Sequence, residues 1–163
     1  STRQTVLGKA EGLVNQFKVT DKYLRDMDSG LNTQIQSIVG QVNTYTKQIA
    51  SLNDDINRLL VSNNGAMPND LLDQRDVLVD QLNKLVGVDV VIQDGTVYNV
   101  ALKNGTNLVQ AGSSNQLVAI GSSSDATRLT IGYQDQSDRI VTLNESSLTG
   151  GALGDCSPSG QRR

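Results

Sequence analysis

The stretch that decides the architecture is LNTQIQSIVGQVNTYTKQIASLNDDINRL, residues 31–59. Its apolar positions are Leu31, Ile35, Ile38, Val42, Tyr45, Ile49, Leu52, Ile56 and Leu59. The steps between them alternate four and three residues without a miss. That repeat sets one row of side chains along a single line of an α-helix and is the signature of a heptad packing seam. Several of the side chains are β-branched, which suits insertion into the holes of a facing helix.

Upstream, the same register runs back through Leu24, Phe17, Val14, Ala10 and Leu7. Asp21 and Asp28 fall where apolar residues belong, so packing is expected to loosen there. The reading is one helix, or two nearly collinear ones, over roughly residues 3–61, about 90 Å long at 1.5 Å per residue. The alternative is a helical hairpin turning at Ser29-Gly30. Downstream, Asn63-Asn64-Gly65 suits a left-handed helix end. Pro68 then leads to Asn69 or Asp70 as the N-cap of a second helix, with Asp73 in its first turn. Leu71, Leu78, Leu82 and Leu85 form the apolar face of that helix, Arg75 fills the intervening slot, and Gly87 stops it. A short connection favours antiparallel packing. The second helix covers only part of the first, so chain beyond this stretch or a neighbouring subunit is expected to cover the rest.

After Gly87 the period changes from helical to alternating. Val88, Val90 and Ile92 alternate, as do Tyr98, Val100 and Leu102, with Asp94-Gly95 and Asn104-Gly105 as two-residue hairpin signals. Leu108-Val109, Leu117–Ile120, Leu129–Tyr133 and Ile140–Leu143 complete about six short antiparallel strands, expected to form a meander in a small open sheet or half-barrel. The fold class is α+β: a partial helical bundle over residues 1–87, a small antiparallel β domain over 88–148, and a disordered tail over 149–163.

Composition excludes several functions. The chain has 163 residues, 14 basic and 17 acidic, for a formal charge of −3, with no basic stripe to replace counterions on nucleic-acid phosphates. No apolar run approaches the roughly 20 residues that span a bilayer. The first ten residues lack the layout of a signal peptide. There is no His, so neither a serine nor Cys156 has the usual base beside it, and the zinc-ligand inventory is nearly empty. The pairs Asp54-Asp55 and Asp73/Asp76 read as helix-surface charges that complement dipoles or form salt bridges. No catalytic residue, cofactor site or metal site is expected, and the chain reads as a structural protein rather than an enzyme.

One segment is more specific. Asn69-Asp70 followed by Leu71, Leu72, Asp73, Gln74, Arg75 and Asp76, then leucines at 78, 82 and 85 and Val88-Asp89-Val90, resembles the bacterial flagellar hook-associated protein 1 family. Glu11–Phe17, Tyr23–Asp26 and Lys47–Asn53 resemble it as well, and the likeness runs to about residue 154. It implies an internal part of a structural subunit at the junction of flagellar hook and filament. Its partners would be copies of itself and other flagellar axial proteins, with no nucleic acid and no membrane. The site would be extracellular, reached by type III export without a cleavable signal peptide. Alone, this length of chain is expected to be a monomer or a weak, artificial dimer. A returning helix outside it would cover the row Leu31–Leu59. Residues 155–163 depart from the family pattern and are expected to be non-native. The competing reading is a secreted coiled-coil adhesin or binding module whose β part takes a ligand, with Tyr98 and Tyr133 as the aromatic candidates.

Overall fold

The computed structural model of the chain describes residues 2–143. The expected tail over 149–163, and the last residues of the expected β domain, lie outside them. Two helices come first. Helix α1 spans Thr2–Ser62 as one unbroken element, so Ser29-Gly30 is not a turn, and α2 spans Asn69–Leu85. Seven strands follow: β1 Val88–Gln93, β2 Val97–Leu102, β3 Asn107–Gln110, β4 Ser113–Ser114, β5 Gln116–Gly121, β6 Leu129–Gln134 and β7 Ile140–Thr142.

The helix ends are set locally. Asn64 and Gly65 take φ values of 50° and 87°, the left-handed geometry that stops α1. Pro68, rather than Asn69 or Asp70, occupies the cap of α2, and no side chain bonds there. Its fixed φ prepares the helical entry, and its carbonyl accepts from the Leu71 and Leu72 amides, both at 3.1 Å. The helix therefore starts early enough that Asp70, not Asp73, lies in the first turn. At the other end Val86 is already extended, one residue before Gly87.

The strands form two antiparallel meanders rather than one sheet, in the orders β1-β2-β3-β4 and β5-β6-β7. Asp94 and Gly95 both have positive φ and Thr96 N donates to Gln93 O at 3.3 Å, but Gln93 pairs with Val97, so three residues rather than the expected two lie between the paired ends of β1 and β2. At the next turn only Gly105 has positive φ, and its amide donates to Leu102 O at 2.9 Å; that turn is a longer, bulged one rather than the two-residue kind. Strand β4 escaped the sequence reading because Ser113-Ser114 carries no apolar signal. It exists through backbone pairing with Val109 and Gln110. Ile92, expected on the packed face, is exposed, whereas Val97 and Val100 of the paired strand are buried.

Both sheets pack against α1, and α2 folds back along it. One buried cluster takes in Val42 and Ile49 of α1, Leu82 of α2, Val100 and Leu108 of the first sheet and Leu117 and Ile131 of the second. The cluster thus crosses the change from helix to strand at residue 87.

Candidate functional site

The heptad row is only partly the buried face. Ile35, Ile38, Val42, Ile49 and Ile56 are buried, Leu31, Tyr45 and Leu52 are half-buried, and Leu59 is exposed. The neighbouring positions Val39, Thr46, Ala50 and Asn53 are buried instead. The sheets lie beside the row, so the covered stripe is rotated away from it. This corrects the expectation that the row awaits a returning helix: much of its cover is the chain's own sheets and α2. The uncovered length is upstream, where every residue from Thr2 to Met27 is exposed. Asp28, expected to mark loosening, is where cover begins, with Arg128 of the β5–β6 loop 3.6 Å away.

The family motif proves to be a joint. Leu71 and Leu72 are half-buried, and Asp73, Gln74 and Asp76 are exposed, but Arg75 is 1% exposed. Its Nη1 donates to Asn53 Oδ1 of α1 at 2.8 Å and to Thr96 O of the β1–β2 turn at 2.5 Å. Its guanidinium lies 3.6 Å from the centroid of the Tyr98 ring, a cation–π geometry. Its Nε is buried without a hydrogen-bond partner among the described residues. The Tyr98 hydroxyl donates to Asp76 Oδ1 at 2.9 Å. One buried cation therefore ties both helices to the first sheet. Burial lowers the Arg75 pKa below its ordinary value, against the pull of Tyr98 and Asp76. Burial raises that of Tyr98, and the bond to Asp76 adds to the rise. Asp76 is thus a tyrosine acceptor rather than a salt-bridge partner. Arg75 fills the heptad slot between Leu71 and Leu78 with a buried cation, which reaches across to the Asn53 side chain and the Thr96 carbonyl.

Three asparagines on α1 repeat the theme. Asn43 Nδ2 donates to Leu117 O at 2.8 Å while its Oδ1 accepts from Leu117 N at 2.9 Å. Asn32 bonds Thr127 O and Leu129 N at 2.7 and 3.0 Å. Asn53 donates to Tyr98 O and Ala111 O, each at 2.8 Å, and accepts from Tyr98 N at 3.3 Å. Asn43 and Asn53 each engage both backbone groups of one strand residue, Leu117 and Tyr98, as a neighbouring strand would. The helix runs so close that a Cβ on Gly112 would lie 2.2 Å from Asp54 Oδ1. The heptad spacing does not single out these asparagines. One signal was available: asparagine is a poor helix former, and three of them recur about every three turns in a helix interior.

The aromatic residues that a binding module would use are engaged in structure. Tyr98 lies under Arg75, and the Tyr133 hydroxyl accepts from Asn115 Nδ2 at 2.6 Å. Among the described residues no His, Cys, Asp and Glu group could hold a metal ion, and no helix is long and apolar enough to cross a membrane. Between α1 and α2 runs an open groove whose lining includes Leu52, Val77 and Leu78 with Gln48, Gln74 and Gln81.

Residues 1–156 match the flagellar hook-associated protein FlgK helical domain. The chain is 53% identical over 154 residues to flagellar hook-associated protein 1 of Salmonella typhimurium strain LT2, covering 94% of the chain and 28% of that protein. It is 51% identical over 154 residues to the Escherichia coli K12 protein of the same name, with the same coverage. The chain thus spans about a quarter of the length of these relatives. The fold resembles the flagellar hook junction protein FlgK from Burkholderia pseudomallei, with a TM-score of 0.77 and 38% identity over 85% of this chain and 25% of that one. By sequence and by fold, the chain belongs to the flagellar hook-associated protein 1 (FlgK) family.

Proposed function

We propose that this chain is the helical part of a structural subunit of the bacterial flagellum, placed where hook meets filament, and that it acts by packing rather than catalysis. The observation that carries the reading is a division of labour along α1. From Asn32 onward three of its asparagines, Asn32, Asn43 and Asn53, brace its own sheets, while residues 2–27 present large apolar side chains to the outside. A stiff helix with one braced half and one open apolar half is suited to contact with other subunits. The seam Leu31–Leu59 and the motif Leu71–Asp76 serve, in this reading, to hold the body that presents the open half. Partners are copies of the protein and neighbouring axial proteins, and the site of action is outside the cell, after export without a cleaved leader.

The test is genetic. In the full-length protein, Val14→Asp alters an exposed position and is expected to leave the fold intact yet abolish filament retention. Ile49→Asp, at a fully buried position, is expected to remove the protein altogether by unfolding it. Normal filaments in the Val14→Asp strain would overturn the role assigned to the open half.

A further inference from the structure

Glycine follows asparagine twice in the chain, at Asn64-Gly65 and Asn104-Gly105. An asparagine side chain in that position is open to attack by the glycine amide nitrogen, because no Cβ shields the nitrogen. Both pairs are exposed. The bonding around each separates them. Gly105 N donates to Leu102 O at 2.9 Å and Leu102 N to Thr106 O at 2.8 Å. Thr106 N donates to Asn104 Oδ1 at 3.0 Å. The Asn104 side chain is thus held within a closed turn, anchored by the buried Leu102. Gly65 N makes one bond, to Leu60 O at 2.8 Å, and it makes it at the end of α1, where helices fray. The Asn64 side chain has no hydrogen-bond partner among the described residues. A single terminal bond therefore stands between Asn64 and reaction, whereas Asn104 is restrained through its side chain and its main chain together.

We propose that Asn64 is a site of spontaneous deamidation and that the fold shields Asn104 from the same reaction. Once the bond to Leu60 O opens, Gly65 N attacks Asn64 Cγ. The new N–Cγ bond closes a succinimide ring. The Cγ–Nδ2 bond breaks, and Nδ2 leaves as ammonia with the proton given up by Gly65 N. Water then opens the ring and returns a proton to that nitrogen. Cleavage of the N–Cγ bond gives aspartate at position 64. Cleavage on the other side of the nitrogen gives isoaspartate, with the main chain rerouted through the side-chain carbon. One water enters and one ammonia leaves. The product changes the connection between the helices. No charged residue lies from Leu59 to Asn69, and Val61 and Met67 are exposed there. Aspartate puts a negative charge at the C-terminal end of α1, where the helix dipole disfavours it. Isoaspartate also lengthens the main chain inside the left-handed stop formed by Asn64 and Gly65. The link between α1 and α2 therefore loosens as the protein ages.

The test follows the 163-residue chain during storage in mildly alkaline buffer, with peptide mass spectrometry and chromatographic separation of the aspartate and isoaspartate forms. Position 64 should convert about tenfold faster than position 104, the factor expected of the additional hydrogen bonds that must open around Asn104. In strong urea the two rates should converge, since glycine follows both asparagines and no fold restrains either. Asn64→Asp keeps a residue that tolerates the left-handed conformation but has no amide to lose. It should remove most of the ammonia released by the folded chain. It should also lower the urea midpoint, and the aged parent chain should show a lowered midpoint as well. Conversion at position 104 as fast as at position 64 in the folded chain overturns the proposal. So does a folded chain that stays intact at position 64 while the urea-unfolded chain reacts, or a preference for position 64 that persists in urea. Unchanged midpoints in the aged chain and in Asn64→Asp overturn the loosening. None of these outcomes depends on the flagellar role, which is tested separately on filaments in cells.

Discussion

At the scale of single residues, Arg75 concentrates the polar energetics of the body. A buried cation is costly, and this one is offset by two hydrogen bonds and a tyrosine face. Truncating it takes the donor from Thr96 O and leaves Asn53 Oδ1 with only the longer bond from Tyr98 N. Arg75→Ala is expected to destabilise the chain by about 3 kcal/mol, and Arg75→Lys by less but measurably, because an ammonium cannot stack on Tyr98 as a guanidinium does; urea unfolding measures both. Tyr98 supplies a pH signature. Its raised pKa means that the folded state keeps the phenolic proton to higher pH than the unfolded chain does. The stabilisation is fully present below about pH 10 and is lost as pH rises through the folded value. Urea midpoints measured across the alkaline range should therefore fall less steeply in Tyr98→Phe than in the parent. An equal slope in the two proteins would mean that this phenol is not the group responsible.

At the scale of elements, the docking of α1 is chemical as well as apolar. A strand at the border of a sheet has unpaired amides and carbonyls, and Asn43 satisfies both groups of Leu117 with one side chain. Asn43→Ala is expected to cost about 1–2 kcal/mol at any pH. Asn43→Asp keeps the acceptor but sets a carboxylate against the Leu117 carbonyl oxygen. Its folded pKa is then raised, so it should be the worse variant at neutral pH and recover part of its stability below about pH 4. Denaturant midpoints at the two pH values separate the cases; a pH-independent loss in the aspartate variant would count against the two-point geometry.

At the scale of the molecule, helices and sheets share one buried cluster through residues 35–143, with Leu82, Val42 and Leu117 almost wholly enclosed. Such a shared core is expected to unfold as a unit. Helix loss by far-ultraviolet circular dichroism and tyrosine exposure by absorbance should follow the same urea curve. Leu82→Ala should shift both together by about 3 kcal/mol. Two separated transitions would place an independent boundary at residue 87, where the secondary structure changes. The open run of α1 contributes no buried side chain to this core, which is why substitutions there serve as probes of association rather than of folding.

The sequence by itself determined both helices and every strand but β4, because their causes are local. The four-and-three spacing makes α1, the left-handed pair Asn64-Gly65 ends it, and the alternation after Gly87 with Asp94-Gly95 makes the first hairpin. The family too was legible, in the run Leu71–Asp76. The assignment of roles was not. The same heptad row is half-covered by sheets downstream of Asn32 and bare upstream of Asp28, and nothing in its spacing distinguishes the two. Arg75 looked like a misfit on an apolar face, and Asn43 like any polar helix residue. Both become structural only when strands distant in sequence bring unpaired backbone groups within hydrogen-bonding reach. Which residues form a helix depends on near neighbours along the chain, whereas which of its faces is covered depends on where the rest of the chain packs.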